Sequence, residues 1–108
     1  LREIEFNTGD STITKKSERI LGFALKAFQA LNDITFEIAG HTDNVGERDM
    51  NMRLSSGREN AVKAWLVAKG IAESRMTTRG AGPDEPLVPN TTPENRQRNR
   101  RVEFKRTK

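Results

Sequence analysis

Residues 34–69 change hydrophobic period once, and that change restricts the fold more than any other feature of the chain. Ile34, Phe36 and Ile38 alternate with Thr35, Glu37 and Ala39, the period of a strand with one buried face. After a polar turn, Leu54, Ala61, Val62, Trp65 and Leu66 recur at helical spacing and predict a helix over 48–69, closed by Gly70. A strand that feeds a long amphipathic helix opens a layered fold in which the helix covers the strand's apolar face.

The same two periods assign the flanks. Ile4 and Phe6 alternate with Glu3 and Glu5 before Asn7, Thr8, Gly9 and Asp10 break the pattern, which predicts a short strand and a turn. Ile20, Ala24, Ala27, Phe28 and Leu31 place an amphipathic helix over 15–31, stopped by Asn32 and Asp33. A third strand is expected over 75–79, then a long loop over 80–99 rich in Gly, Pro and Asn. Val102 and Phe104 alternate with charged neighbours in a terminal strand whose inward parity includes Arg100. The expectation is one α+β domain over residues 1–108: a two-layer α/β sandwich with a mixed four-stranded sheet and two main helices on one face, in the order β-α-β-α-β-loop-β. Strand order is left open.

A chain of 108 residues suits one domain with one core. Its net charge of +4 is too modest to demand a nucleic-acid partner. The absence of cysteine excludes disulfides, thiolate metal sites and cysteine nucleophiles. No apolar run reaches the roughly 18 residues of a membrane span, and no signal peptide is visible. The start at Leu1 suggests a domain excised from a larger protein.

The polar turn joins an acid and a base. His41, Thr42 and Asp43 follow the strand, and Arg58 falls inside the apolar stripe of the next helix. At 100° per residue Arg58 lies about 40° from Leu54 and Val62 and about 20° from Asn51 and Trp65. A charge aimed at the core side must find partners, because its desolvation is otherwise costly. Asp43 and Arg58 could clamp a ligand carrying both an ammonium and a carboxylate. They could equally pair with each other, or Asp43 could cap the turn while Arg58 reaches water.

Other constellations are weaker. His41 with Ser55 or Ser56 lacks a nucleophile elbow, and His41, Asp43, Glu47 and Asp49 lack the spacing of a calcium loop. The basic C-terminal run has Phe104 as its one aromatic, poor chemistry for stacking bases. The G-A-G at 80–82 is too short for a nucleotide fingerprint. No catalytic residue, metal or cofactor is assigned.

The chain resembles the OmpA-like peptidoglycan-binding domain shared by outer-membrane proteins, peptidoglycan-associated lipoproteins and flagellar stator subunits. The resemblance rests on G-H-T-D at 40–43, N-x-x-L-S-x-x-R at 51–58, G-x-G at 80–82 and N-R-R-V-E at 99–103. It implies non-covalent binding of the peptidoglycan stem peptide through meso-diaminopimelate, in the periplasm of a Gram-negative envelope, without catalysis. In that family the aspartate matching Asp43 accepts hydrogen bonds from the diaminopimelate ammonium and the arginine matching Arg58 pairs with its carboxylate. Thr42, Asn51 and one arginine of N-R-R belong to the surrounding pocket, and strand parity favours Arg100.

Three positions depart from the family pattern. Glu59 replaces a common alanine and is expected at the solvent edge of the helix, within reach of Lys63. Asn95 replaces glycine before Arg96, where asparagine suits a left-handed turn. Asn7 stands where some members place an acid and is retained as a site candidate. The resulting reading is a wall-anchoring module of a membrane-attached envelope protein. The alternative is a protein-interaction or homodimerisation module that keeps the fold without the ligand.

Overall fold

In a computed structural model, which describes residues 4–6 and 11–108 of the chain, most changes of hydrophobic period end on a cap or a glycine. The Thr14 hydroxyl accepts the Ser17 amide proton at 3.1 Å and starts α1 (Lys15–Ala30), as an N-cap threonine does. Strand β1 (Ile4–Glu5) precedes it and β2 (Phe36–His41) follows. Helix α2 (Arg48–Ala68) runs on to Gly70, whose φ of 101° turns the chain back towards β3 (Met76–Gly82). Thr92 then caps α3 (Pro93–Asn99), and β4 (Arg101–Arg106) ends the fold.

The sheet order is β1-β4-β2-β3. β2 and β3 pair in parallel and therefore need a crossover, which α2 supplies. β4 runs antiparallel to both β1 and β2. Three strands of six or seven residues carry this mixed sheet, and β1 is a two-residue edge. The architecture is the expected α+β sandwich with α1 and α2 over one face.

The core lies between that face and the helices. Phe28 of α1 stacks on Phe36 of β2 with ring centroids 3.8 Å apart, and Phe104 of β4 meets Phe28 edge-on at 5.4 Å. Leu21, Ile38, Val62, Leu66 and Val102 are fully buried around them. Arg75 closes the far end of α1, donating to the carbonyls of Phe28 (3.0 Å), Leu31 (2.8 Å) and Ile34 (3.0 Å). A cation there also meets the negative end of the helix dipole.

Several expectations need correction. β3 reaches Gly82 instead of stopping at residue 79, and the stretch read as loop contains α3. Asn95 lies inside α3, and no described non-glycine residue has a positive φ, so its left-handed turn does not form. Arg100 is the residue that ends α3, one before β4. Asn7 and the turn predicted after β1 lie outside the described residues.

The approach of α2 to the strand ends is unusually close. A Cβ on Gly40 would stand 2.1 Å from the Ser55 carbonyl oxygen, and one on Gly80 would stand 2.7 Å from Ser56 Oγ. Ser55 Oγ accepts the Gly82 amide proton at 3.1 Å and donates to the Met52 carbonyl at 2.8 Å, pinning helix to sheet. Because the atom facing Gly40 is backbone, Gly40→Ala should destabilise the fold by at least about 1–3 kcal/mol, the range for overpacking. Gly22 inside α1 has no heavy atom within 4 Å of its Cβ position. Gly22→Ala should therefore stabilise by about 0.5–1 kcal/mol through helix propensity; urea denaturation of the two variants checks both signs.

Candidate functional site

Strand β2 delivers the site through an irregularity. Its register with β3 shifts between Gly40 and His41, and the following Thr42 amide donates to the Gly82 carbonyl at 2.9 Å. The His41 carbonyl accepts from Arg58 Nη1 at 2.9 Å. Arg58 is 0 % exposed, and its guanidinium lies 5.2 Å from the centroid of the Phe6 ring. A buried cation held by a carbonyl and an aromatic face regains part of its lost hydration. Arg58 therefore does not extend to water.

Among the described residues, the ion pair to Asp43 is made by Arg100 at 2.7 Å. The expected alternative of an Asp43–Arg58 pair is thus replaced. The other carboxylate oxygen, Asp43 Oδ1, accepts the Val45 amide proton at 3.0 Å and caps the turn. Arg100 also donates to the Phe6 carbonyl at 3.2 Å and to Gln97 Oε1, tying the residue after β1, α3 and the turn after β2 together. Asn51 Nδ2 donates to the Val45 carbonyl at 3.1 Å, and Thr42 Oγ1 to the Asp43 carbonyl at 2.8 Å.

These residues share one cleft of about 470 Å³. Thr42, Asp43, Asn51, Arg58 and Arg100 line it together with apolar Val45, Met50 and Leu54. Five of the six candidate site residues are thereby brought together; the sixth, Asn7, is outside the described residues. Among these five, an acid, two guanidiniums, an amide and a hydroxyl on one apolar-walled cleft suit a small zwitterion.

The N-R-R stretch divides its work three ways, of which the sequence pattern supplied one. Asn99 is 0 % exposed. Its oxygen accepts the amide protons of Leu87 (2.8 Å) and Val88 (3.1 Å), and its nitrogen donates to the Val88 carbonyl and to Asn90 Oδ1, both at 2.8 Å. It organises the segment before α3. Arg101 turns to the opposite sheet face, donating to Glu103 at 2.9 Å and to the Glu85 carbonyl at 3.0 Å. The Thr92-Pro93 start of α3 was the available signal, since a capping threonine before proline opens a helix.

The two residues flanking the clamp are buried titratable groups. His41, 3.6 Å from Glu103, sits on the Arg101 side of the sheet, and neither ring nitrogen has a hydrogen-bond partner. Burial, then the Arg101 charge, lowers its pKa to about 4, so the ring is neutral at pH 7. Ser55, once considered beside it, is committed to Met52 and Gly82. Glu59 corrects an expectation: it is 4 % exposed, not at the solvent edge, and Lys63 pairs with Glu73 at 3.2 Å instead. Its burial follows from the close seating of α2, and desolvation raises its pKa to about 7.

A model of the OmpA family matches residues 5–100. The chain is 38 % identical to Outer membrane protein A of Bordetella avium over 99 residues, covering 92 % of this chain and 51 % of that protein. It is 36 % identical to the peptidoglycan-binding protein ArfA of Mycobacterium tuberculosis, covering 94 % of this chain and 31 % of that one. The chain thus spans about half or less of these relatives. The C-terminal domain of Helicobacter pylori MotB superposes with a TM-score of 0.93 over 100 % of this chain and 85 % of its own, at 23 % identity, a likeness of fold.

The Glu59 carboxyl gives a pH signature. Its folded pKa of about 7 exceeds the ordinary 4.5, so the folded state binds more protons between those values and loses stability as pH rises through them. Below pH 4.5 both states are protonated and the contribution is constant. Glu59→Gln should therefore be more stable than the parent at pH 8, with the gap closing towards pH 4.5. Denaturation midpoints across that window check the sign.

Proposed function

The chain belongs to the OmpA family, and from that membership we propose that it binds peptidoglycan non-covalently and anchors an envelope protein to the cell wall. The specific ligand is the meso-diaminopimelate of the stem peptide, met on the periplasmic side of the envelope. The observation that carries this reading is the convergence of Thr42, Asp43, Asn51, Arg58 and Arg100 on one cleft. The family resemblance of the motifs and the similarity to the peptidoglycan-binding protein ArfA support it.

The recognition divides by charge. An ionised aspartate offers about four lone-pair sites; the Val45 amide and Arg100 take one on each oxygen of Asp43. The remaining sites receive the ligand ammonium. The ligand carboxylate is assigned to the planar guanidinium of Arg58, which lines the cleft while fully buried, and Asn51 and Thr42 add neutral polar contacts. Each charge-assisted hydrogen bond contributes roughly 1.5–3 kcal/mol, enough in combination for micromolar-scale binding after ordering costs. No step in this reading makes or breaks a bond in the wall polymer.

Calorimetric titration with a diaminopimelate-containing stem peptide should give saturable binding that Asp43→Ala abolishes. Arg58→Lys keeps the charge but loses the fork, so its binding should weaken by about tenfold, roughly 1.4 kcal/mol. Circular dichroism on each variant separates lost binding from lost fold. A flat titration of the folded parent chain at millimolar peptide would overturn the reading and leave the protein-interaction module.

A further inference from the structure

Among the described residues, Arg53 is the one guanidinium lining the cleft with no hydrogen-bond or ion-pair partner, whereas Arg58 and Arg100 are both engaged. Asp49, four residues before it and spaced for a helical ion pair, does not pair with it. The remaining charged wall residue, Glu47, sits at the N-terminus of α2, where the helix dipole already favours a carboxylate. A solvated arginine is unremarkable by itself; its place in the cleft is what matters.

Arg53 precedes Arg58 by five residues on α2, about 7.5 Å along the helix axis. They are also about 140° apart round the axis, so their long side chains set the two guanidiniums farther apart than that rise, as a γ-linked glutamyl-diaminopimelate unit requires. Val45 and Met50, 55 % and 62 % exposed, line the same cleft and offer an apolar surface to the intervening ligand chain. A clamp for one zwitterionic centre therefore has an unused carboxylate receptor farther along the same cleft.

Resting on the diaminopimelate reading, we propose that Arg53 recognises a second carboxylate on the same ligand: the α-carboxylate of the γ-linked glutamate that acylates diaminopimelate. The cleft then selects stems in which that group is free over stems in which it is amidated. Amidation removes the charge and one acceptor oxygen, so a bidentate, charge-assisted pair with arginine is lost. Arg53 is a specificity-determining residue, and its exposure makes the fold indifferent to its replacement.

The test is calorimetric titration of the chain and of Arg53→Gln with two tripeptides, L-Ala-γ-D-Glu-meso-diaminopimelate and its glutamate α-carboxamide. The parent chain should bind the free acid about five- to tenfold more tightly, and Arg53→Gln should bind both alike. Equal binding of the two peptides by the parent, or an undiminished preference in Arg53→Gln, overturns this inference while leaving the diaminopimelate clamp standing. Binding of neither peptide by the folded parent overturns the clamp and this inference with it.

Discussion

The packing of α2 directly on the ends of β2 and β3, with Gly40 against the Ser55 carbonyl, is the contact on which the cleft depends. Interaxial and helix-to-sheet distances are ordinarily set by side chains, and here the strand supplies none. The helix is thereby lowered until Arg58 Nη1 reaches the His41 carbonyl and Ser55 Oγ reaches the Gly82 amide. A side chain at Gly40 would lift α2 and withdraw the guanidinium from the wall of the cleft. The G-H-T-D, L-S-x-x-R and G-x-G motifs are therefore one packing arrangement seen three times along the chain.

That seating also explains the concentration of buried charge. Arg58, Asp43, Arg100 and Glu59 are all at least nine-tenths buried, and burying ions is costly unless geometry compensates. Arg58 is compensated by a carbonyl and the Phe6 ring, and Asp43 by Arg100 and a backbone amide. Glu59 Oε2 and both His41 ring nitrogens lack hydrogen-bond partners, and each such group carries a desolvation cost. Polar groups held in fixed positions before a ligand arrives reduce the ordering cost of binding it, which is the advantage such an arrangement offers.

Much of this was legible in the residues. The period change over 34–69 assigned β2 and α2, and the angular position of Arg58 placed its charge on the core side. Segment 80–99 was harder, because its Gly, Pro and Asn content masks a seven-residue helix whose start, Thr92-Pro93, is a local signal. The roles of Asn99 and Arg101 are not local: Asn99 binds backbone around Val88, and Arg101 binds the Glu85 carbonyl. Glu59 was misplaced because helical angle alone put it beyond the buried stripe, whereas an unusually close sheet widens that stripe.

Element order, the α+β class and the cluster of acid, amide and base between 42 and 58 follow from periodicity and spacing within single segments of the chain. The place of β4 between β1 and β2 and the pairing of Asp43 with Arg100 instead of Arg58 arise from contacts between distant segments. The physical reason is that partner choice for a buried charge depends on which acceptors and donors arrive within about 3 Å in space. Arg100 arrives there because α3 ends beside the turn after β2, and no spacing along the chain encodes that meeting.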